Sequence, residues 1–212
     1  MRASLKSIDY LHVRDKAGME YYGCNQEWYS SIWRRLAGCG PSVAATLLLY
    51  LQRAGQVDFP VTGYEKKDCL GLMEDVWTHV TPTIRGVNTG EIFCSGIRSF
   101  AAANGFTVDC EIVNVPKCKH SRPLFLDLVS FIGDGLNRDC PVAFLNLHNG
   151  KVKSLEAWHW VTVVSLEADD SRRATLTVFD GDKSAELDLA LWFETTKKGG
   201  AFVYLKRSEQ PA

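Results

Sequence analysis

No run of about 18 uncharged apolar residues occurs anywhere in this 212-residue chain, which excludes an ordinary membrane-spanning helix. The amino-terminal stretch MRASLKSIDYLHVRDKAG lacks an apolar core of signal-peptide length, so a cytoplasmic protein with no membrane partner is expected. Excess positive charge is also missing. Its 24 Lys and Arg against 25 Asp and Glu leave a formal net charge of -1, without the basic footprint that a phosphate backbone requires. No nucleic-acid partner is therefore expected. Internal repeats and low-complexity linkers are absent, and with 46% hydrophobic residues the chain can bury a full core as a single domain over residues 1–212. Paired-cysteine spacing is lacking too: seven cysteines, an odd number scattered singly from Cys24 to Cys140, do not form a disulfide framework. Seven reduced and mostly buried thiols are the expectation. Cys110, Cys118 and His120 group only loosely, with no C-x-x-C or H-E-x-x-H spacing, so neither a metal nor any other cofactor is expected. Nothing in the sequence speaks to oligomeric state.

What is present falls into two halves. Residues 1–38 are polar and aromatic and read as a lead-in, irregular above all over 1–21, that packs rings onto a core. A helix is predicted from Gly40 to about Arg53. Pro41 suits its first turn, and Val43, Leu47 and Leu51 with Ala44 and Leu48 make one apolar face. Residues 55–90, rich in Gly, Thr, Pro and charge, read as less regular and leave open whether they form a lid. EIFCSGIRSFAAANG predicts a second helix stopped by Asn104-Gly105, and SRPLFLDLVSFIGDGLNRD a third. The second half carries the strand signals FTVDCEIVNV, PVAFLNLH, HWVTVVSL, ATLTVFD and AFVYLK, bounded by HNGK, EADDSR, DGDK and KKGG turns. Hairpin-length connections favour an antiparallel sheet, so the class is α+β, with N-terminal helices packed on a C-terminal sheet.

One thiol is placed conspicuously. In RLAGCGPSVAATLLLY, Cys39 stands at the amino end of the first predicted helix, where unpaired N–H groups and the macrodipole favour an anion and hence a reactive thiolate. Gly38 and Gly40 beside it would let a substrate carbonyl approach the backbone. A small packing cysteine at a helix start is the alternative. A nucleophile needs a base, and His159, heading the strand in AWHWVTVVSL between two tryptophans, is better held than His12, His79, His120 or His148, which fall in polar, irregular or turn segments. Asp180 ends the following strand in ATLTVFDGD. If the two strands pair through the EADDSRR turn, Asp180 comes near His159 and can fix its tautomer. Asp182 is the rival carboxylate. Gln26, in GCNQEWY, carries an amide able to join the Cys39 N–H in binding an oxyanion, although alone it reads as an exposed loop glutamine. Trp28, Trp33, Trp158 and Trp160 are candidates either for cleft walls or for core.

Gln26, then GCGPS with a helix behind Cys39, then HWV opening a strand and VFDGD ending the next, resemble the Gln, Cys, His, Asp/Asn order of papain-like cysteine peptidases. Within that superfamily the pattern is most similar to double-glycine-leader peptidases, which process bacteriocin precursors, and to their stand-alone bacterial relatives. The resemblance covers roughly residues 22–205. It implies a papain-like fold and a peptide or protein substrate. It also implies Cys39 as nucleophile, His159 as general base and acid, Asp180 as its orienter and Gln26 as oxyanion donor. Two departures stand out. The gap from Gln26 to Cys39 exceeds the five or so residues usual in the family, so EWYSSIWRRLAG must loop out. There is also no G-x-x-x-x-G-K-[ST] phosphate loop, so this is not a transporter-fused form. The expected function is peptide or isopeptide hydrolysis through a thioester. An acyltransferase or transglutaminase-like enzyme using the same triad, and an inactive papain-fold binding module, are the alternatives.

Overall fold

In the computed structural model of the chain, residues 1–169 and 173–208 are described. Three short strands open it: β1 (Arg2–Ser4), β2 (His12–Arg14) and β3 (Glu20–Tyr22). Helices α1 (Ile32–Ala37), α2 (Cys39–Arg53), α3 (Lys66–Trp77) and α4 (Gly90–Ala103) follow. Then come β4 (Val108–Val115), α5 (Phe125–Asn137), β5 (Val142–Asn146), β6 (His159–Ala168), β7 (Ala174–Asp180), β8 (Lys183–Asp188), α6 (Leu189–Thr195) and β9 (Gly200–Arg207). Helices thus precede most of an antiparallel sheet, as the α+β expectation holds. Among the described residues the sheet has seven strands, in the order β4-β9-β5-β6-β7-β8 with β1 also pairing to β6; β2 and β3 form a separate hairpin.

β6 is the centre of the sheet because residues 160–164 are buried on both faces, which suits its run of branched and aromatic side chains. On one side its first half pairs with β5 and its second with β1; on the other it pairs with β7, with a register shift between Val163 and Ser165. Side-chain alternation divides the helices between the two faces. Gly90 of α4 meets Ala201 and Val203, whereas Gly135 of α5 meets Tyr204 and Val142. On the α4 face Phe93 stacks on Trp160 at 4.3 Å between centroids, and on the other Phe144 stacks on Phe202 at 4.3 Å. The middle of the EADDSRR turn that joins β6 to β7, residues 170–172, lies outside the described residues.

Several elements differ from the sequence expectation. α2 begins at Cys39, one residue earlier than predicted, and is buried all round from Gly40 through Leu51 rather than along a single face. The region 55–90 contains a full helix, α3, opened by a capping box between Glu65 and Asp68. Its buried residues Cys69, Leu72, Met73, Val76 and Trp77 keep the helical period among exposed charges. The lead-in is less irregular than expected, since it holds β1, the β2–β3 hairpin and α1. β8 and α6 were not anticipated; α6 starts where Asp188 accepts a hydrogen bond from the Leu191 N–H at 2.8 Å. The KKGG segment is a turn: Gly199 has φ +71°, with the Val115 carbonyl where a Cβ would stand. Among the described residues no helix is long and apolar enough to cross a membrane.

Candidate active site

Cys39 is the first residue of α2, entered from Gly38, and its thiol is half-buried. The first N–H groups of a helix have no partner within it and carry the positive end of its dipole, so they face whatever charge forms beside the sulfur. The flanking glycines do a different job from the one the sequence suggested. A Cβ on Gly40 would lie 2.8 Å from Val87 Cβ, and one on Gly38 would lie 2.4 Å from the Arg34 carbonyl and 2.7 Å from the Tyr29 ring. Their missing side chains make room for internal packing rather than for a substrate.

His159 opens β6 and Asp180 closes β7. The β6–β7 register pairs Thr162 with Phe179; carried on, it leaves Asp180 diagonal to His159 on the same face, within reach of a carboxylate and an imidazole. His159 Nε2 donates to Asp180 Oδ1 at 2.9 Å and Oδ2 at 3.0 Å, so Asp180 and not Asp182 is its partner. With Nε2 engaged, Nδ1 is the nitrogen left for Cys39. Burial is the largest influence on this imidazole and disfavours its charge. The hydrogen bonds and negative charge of Asp180 and Cys39 outweigh it and raise His159 from 6.5 to about 10.

Gln26 reaches the same place through two long-range anchors. At Gly23, φ +100°, a Cβ would strike the Thr46 side chain at 2.8 Å, and the next N–H, of Cys24, donates to Thr46 Oγ1 at 2.9 Å. Thr46 Oγ1 in turn donates to the Ser42 carbonyl at 2.9 Å, which ties the segment to α2. On the other side Tyr22 N–H donates to the Gly181 carbonyl at 2.7 Å, and the Asn25 amide fills the space a Gly181 Cβ would take, at 2.8 Å. Gln26 therefore lines a small cavity of about 20 Å³ with Cys39, His159, Trp160 and Asp180. EWYSSIWRRLAG does leave and return: it forms a 3-10 turn, Gln26–Trp28, and then α1, held by Arg35 donating to the Tyr29 carbonyl at 2.9 Å and by Tyr29 OH donating to the Met73 carbonyl at 3.1 Å. Thr46→Val should cost about 1–3 kcal/mol, because it strands the buried Cys24 N–H, and urea unfolding measures it.

The remaining candidates separate cleanly. Trp160 is core, its indole donating to the Val87 carbonyl at 2.6 Å, Trp28 is half-buried and packs edge-on against Tyr21, and Trp158 and Trp33 are exposed. His148 is structural: its Nδ1 accepts the Gly150 N–H at 3.0 Å. His79 Nδ1 lies 2.8 Å from Ser99 Oγ, and His12 packs on Tyr22 and Phe179. No group of three His, Cys, Asp or Glu able to hold a metal exists among the described residues. Cys110 lies against the Cys94 carbonyl at 3.9 Å, and Cys118 is exposed. A much larger open cleft of about 1040 Å³, lined by Phe106, Arg138 and Lys206 among others, includes none of the candidate residues.

No protein-family model matches the chain, and no curated protein matches it in sequence. Among solved structures, that of UfSP from C. elegans superposes with a TM-score of 0.55 at 9% identity, over 100% of this chain and 35% of that one. The likeness is one of fold, and that fold is papain-like. The chain thus spans about a third of the length of this neighbour, 35%.

Proposed function

We propose that this chain is a cysteine-nucleophile hydrolase of the papain-like kind, acting on a peptide or isopeptide bond. One observation carries the reading: a half-buried thiol at the start of a helix lines one small cavity with an imidazole whose Nε2 is hydrogen-bonded at 2.9 Å to a carboxylate on the adjacent strand. That is the arrangement needed to make and keep a thiolate beside an imidazolium.

In this reading Cys39 passes its proton to His159 Nδ1 and the thiolate attacks the scissile carbonyl carbon. The negative charge moves to the carbonyl oxygen, which takes hydrogen bonds from the Cys39 N–H and the Gln26 amide. The tetrahedral species collapses as His159 Nδ1–H protonates the departing amine, leaving a thioester. His159 then takes a proton from water, the hydroxide attacks the thioester carbon, and Cys39 leaves with the acid product free. Asp180 holds the imidazole in one tautomer and supports its charge through both steps. The resemblance to double-glycine-leader peptidases makes Gly-Gly-containing precursor peptides the first defined substrates to test.

Gln26 supplies a specific expectation. Among the described residues its buried Oε1 has no hydrogen-bond partner, an arrangement that costs stability and is kept where the rest of the amide is useful. Gln26→Ala should lower kcat/KM by about 10²–10³-fold, as for loss of an oxyanion donor, without lowering the thermal midpoint. A loss of activity that merely tracks a loss of stability would remove Gln26 from the mechanism. The function itself is tested with an amine-blocked peptide library made from a proteolysed cell extract. The wild-type chain should create new amino termini and Cys39→Ala none. No new termini with wild type, or equal numbers from both, would overturn the peptidase reading.

A further inference from the structure

Trp158, directly before His159, has φ +58°. Bulky residues rarely adopt that left-handed conformation, and it persists only where neighbours on both sides dictate it. They do so here. Asn146, fully buried, donates its amide to the Glu156 carbonyl at 2.5 Å and accepts the Trp192 indole N–H at 2.8 Å, fixing the chain two residues before. His159, one residue after, is held by strand pairing to Asn146 and by Asp180. The loop is also stitched to the turn that follows α6. His148 Nδ1 accepts the Lys197 N–H at 3.3 Å, and Thr196 Oγ1 donates to the His148 carbonyl at 2.7 Å. That turn carries Lys198, whose Nζ lies 4.6 Å from the centroid of the Trp158 ring and braces one side of it.

The braced indole is nonetheless 48% exposed. A core tryptophan would be buried, as Trp160 and Trp192 are, and a merely solvated one would require neither the strained backbone nor the brace. Resting on the reading of Cys39 and His159 as the reacting pair, we propose that Trp158 is the specificity platform of the site. It receives a large apolar side chain of the substrate polypeptide next to the scissile carbonyl, against an indole of fixed orientation that loses little entropy on contact.

The test uses iodoacetamides carrying N-benzyl, N-isobutyl or N-carboxymethyl groups. Each reagent forms a bond from Cys39 Sγ to its methylene carbon as the carbon–iodine bond breaks and iodide leaves, and the appended group is free to lie on either side of the sulfur. Rates at Cys39, read by peptide mass mapping, are divided by the rate of plain iodoacetamide on the same variant and by intrinsic reactivity toward glutathione. This ratio cancels any change in thiol activation. The wild-type chain should favour the benzyl and isobutyl reagents by about tenfold over the carboxymethyl one, the scale of hydrophobic discrimination in a single pocket. Trp158→Gly, which accepts φ +58° and deletes the ring, should abolish the preference, and Trp158→Phe should keep most of it. Absence of a preference in wild type, or its survival in Trp158→Gly, overturns the proposal. So does a uniform slowing with unchanged ratios, which would make Trp158 a scaffold for His159. If plain iodoacetamide shows no His159-dependent reaction at Cys39, the reacting pair itself fails and the proposal falls with it.

Discussion

Iodoacetamide is expected to label Cys39 in a manner that depends on His159, and the exposed Cys118 and the half-buried Cys110, whose thiol a hydrogen bond with Cys94 holds below the ordinary range, in a manner that does not. Cys118 is exposed, and the His120 N–H, with the Ser121 hydroxyl behind it, holds its thiol below the ordinary range. Cys24, Cys69, Cys94 and Cys140 are buried. Hydrogen bonding to a neighbouring thiol, with burial, pushes Cys24 and Cys94 upward, and burial raises Cys140 to about 12. Accessibility alone therefore does not separate Cys39 from Cys118; the partner does. An unassisted thiol with a pKa of about 8.5 is roughly 0.3% thiolate at pH 6. His159→Ala should consequently slow alkylation of Cys39 at that pH by about 10²-fold, while Cys118 proceeds unchanged within the same sample as an internal control. The measurement is the pH dependence of each site by mass spectrometry. Equal rates at Cys39 in wild type and His159→Ala would dissolve the ion pair and leave a papain-like shell suited to binding.

The parts of this site that were legible in the sequence are those set by short-range rules. A cysteine followed by Gly-Pro and an apolar run lies at a helix start because Pro is tolerated only there. A histidine and an aspartate at the near ends of two consecutive antiparallel strands meet because strand direction and alternation put them on one face. What stayed hidden depends on residues far apart in the chain. Gln26 is docked by Thr46 and Gly181, 20 and 155 positions away, so no local pattern could show how a long excursion returns it to the cleft. Gly40 is a glycine because of Val87, on a loop beyond α3. Trp158 and Trp160 read alike, yet one is braced in the open and the other is core, a division made by a single left-handed residue. α3 is the opposite case. Its apolar period was present in the sequence, masked by the charges interleaved with it and by Gly71 within it.

Substitution of Asp180 should separate hydrogen bonding from charge. In Asp180→Asn the side-chain oxygen still accepts the His159 Nε2–H, so the tautomer and ring orientation survive; papain-like enzymes run on a Cys-His-Asn set. Activity near neutral pH should fall modestly, by about tenfold or less, whereas Asp180→Ala, which loses orientation as well, should fall by about 10²–10³-fold. The charge appears in the pH profile. His159 is raised to about 10 by Asp180 and Cys39 together, so the wild-type alkaline limb should lie near that pH and move down in Asp180→Asn. Stability should follow the same sign. Because the folded-state value lies above 6.5, bonds to the imidazolium contribute in full below pH 6.5 and are lost as pH rises through about 10. Asp180→Asn should thus cost most at pH 6, about 1–2 kcal/mol given that Asp180 is 41% exposed, and almost nothing above pH 10, as urea midpoints at the two pH values will measure. An alkaline limb that does not move in Asp180→Asn would mean that the carboxylate serves as a hydrogen-bond acceptor alone. The ion pair would then owe its persistence to Cys39 and the start of α2.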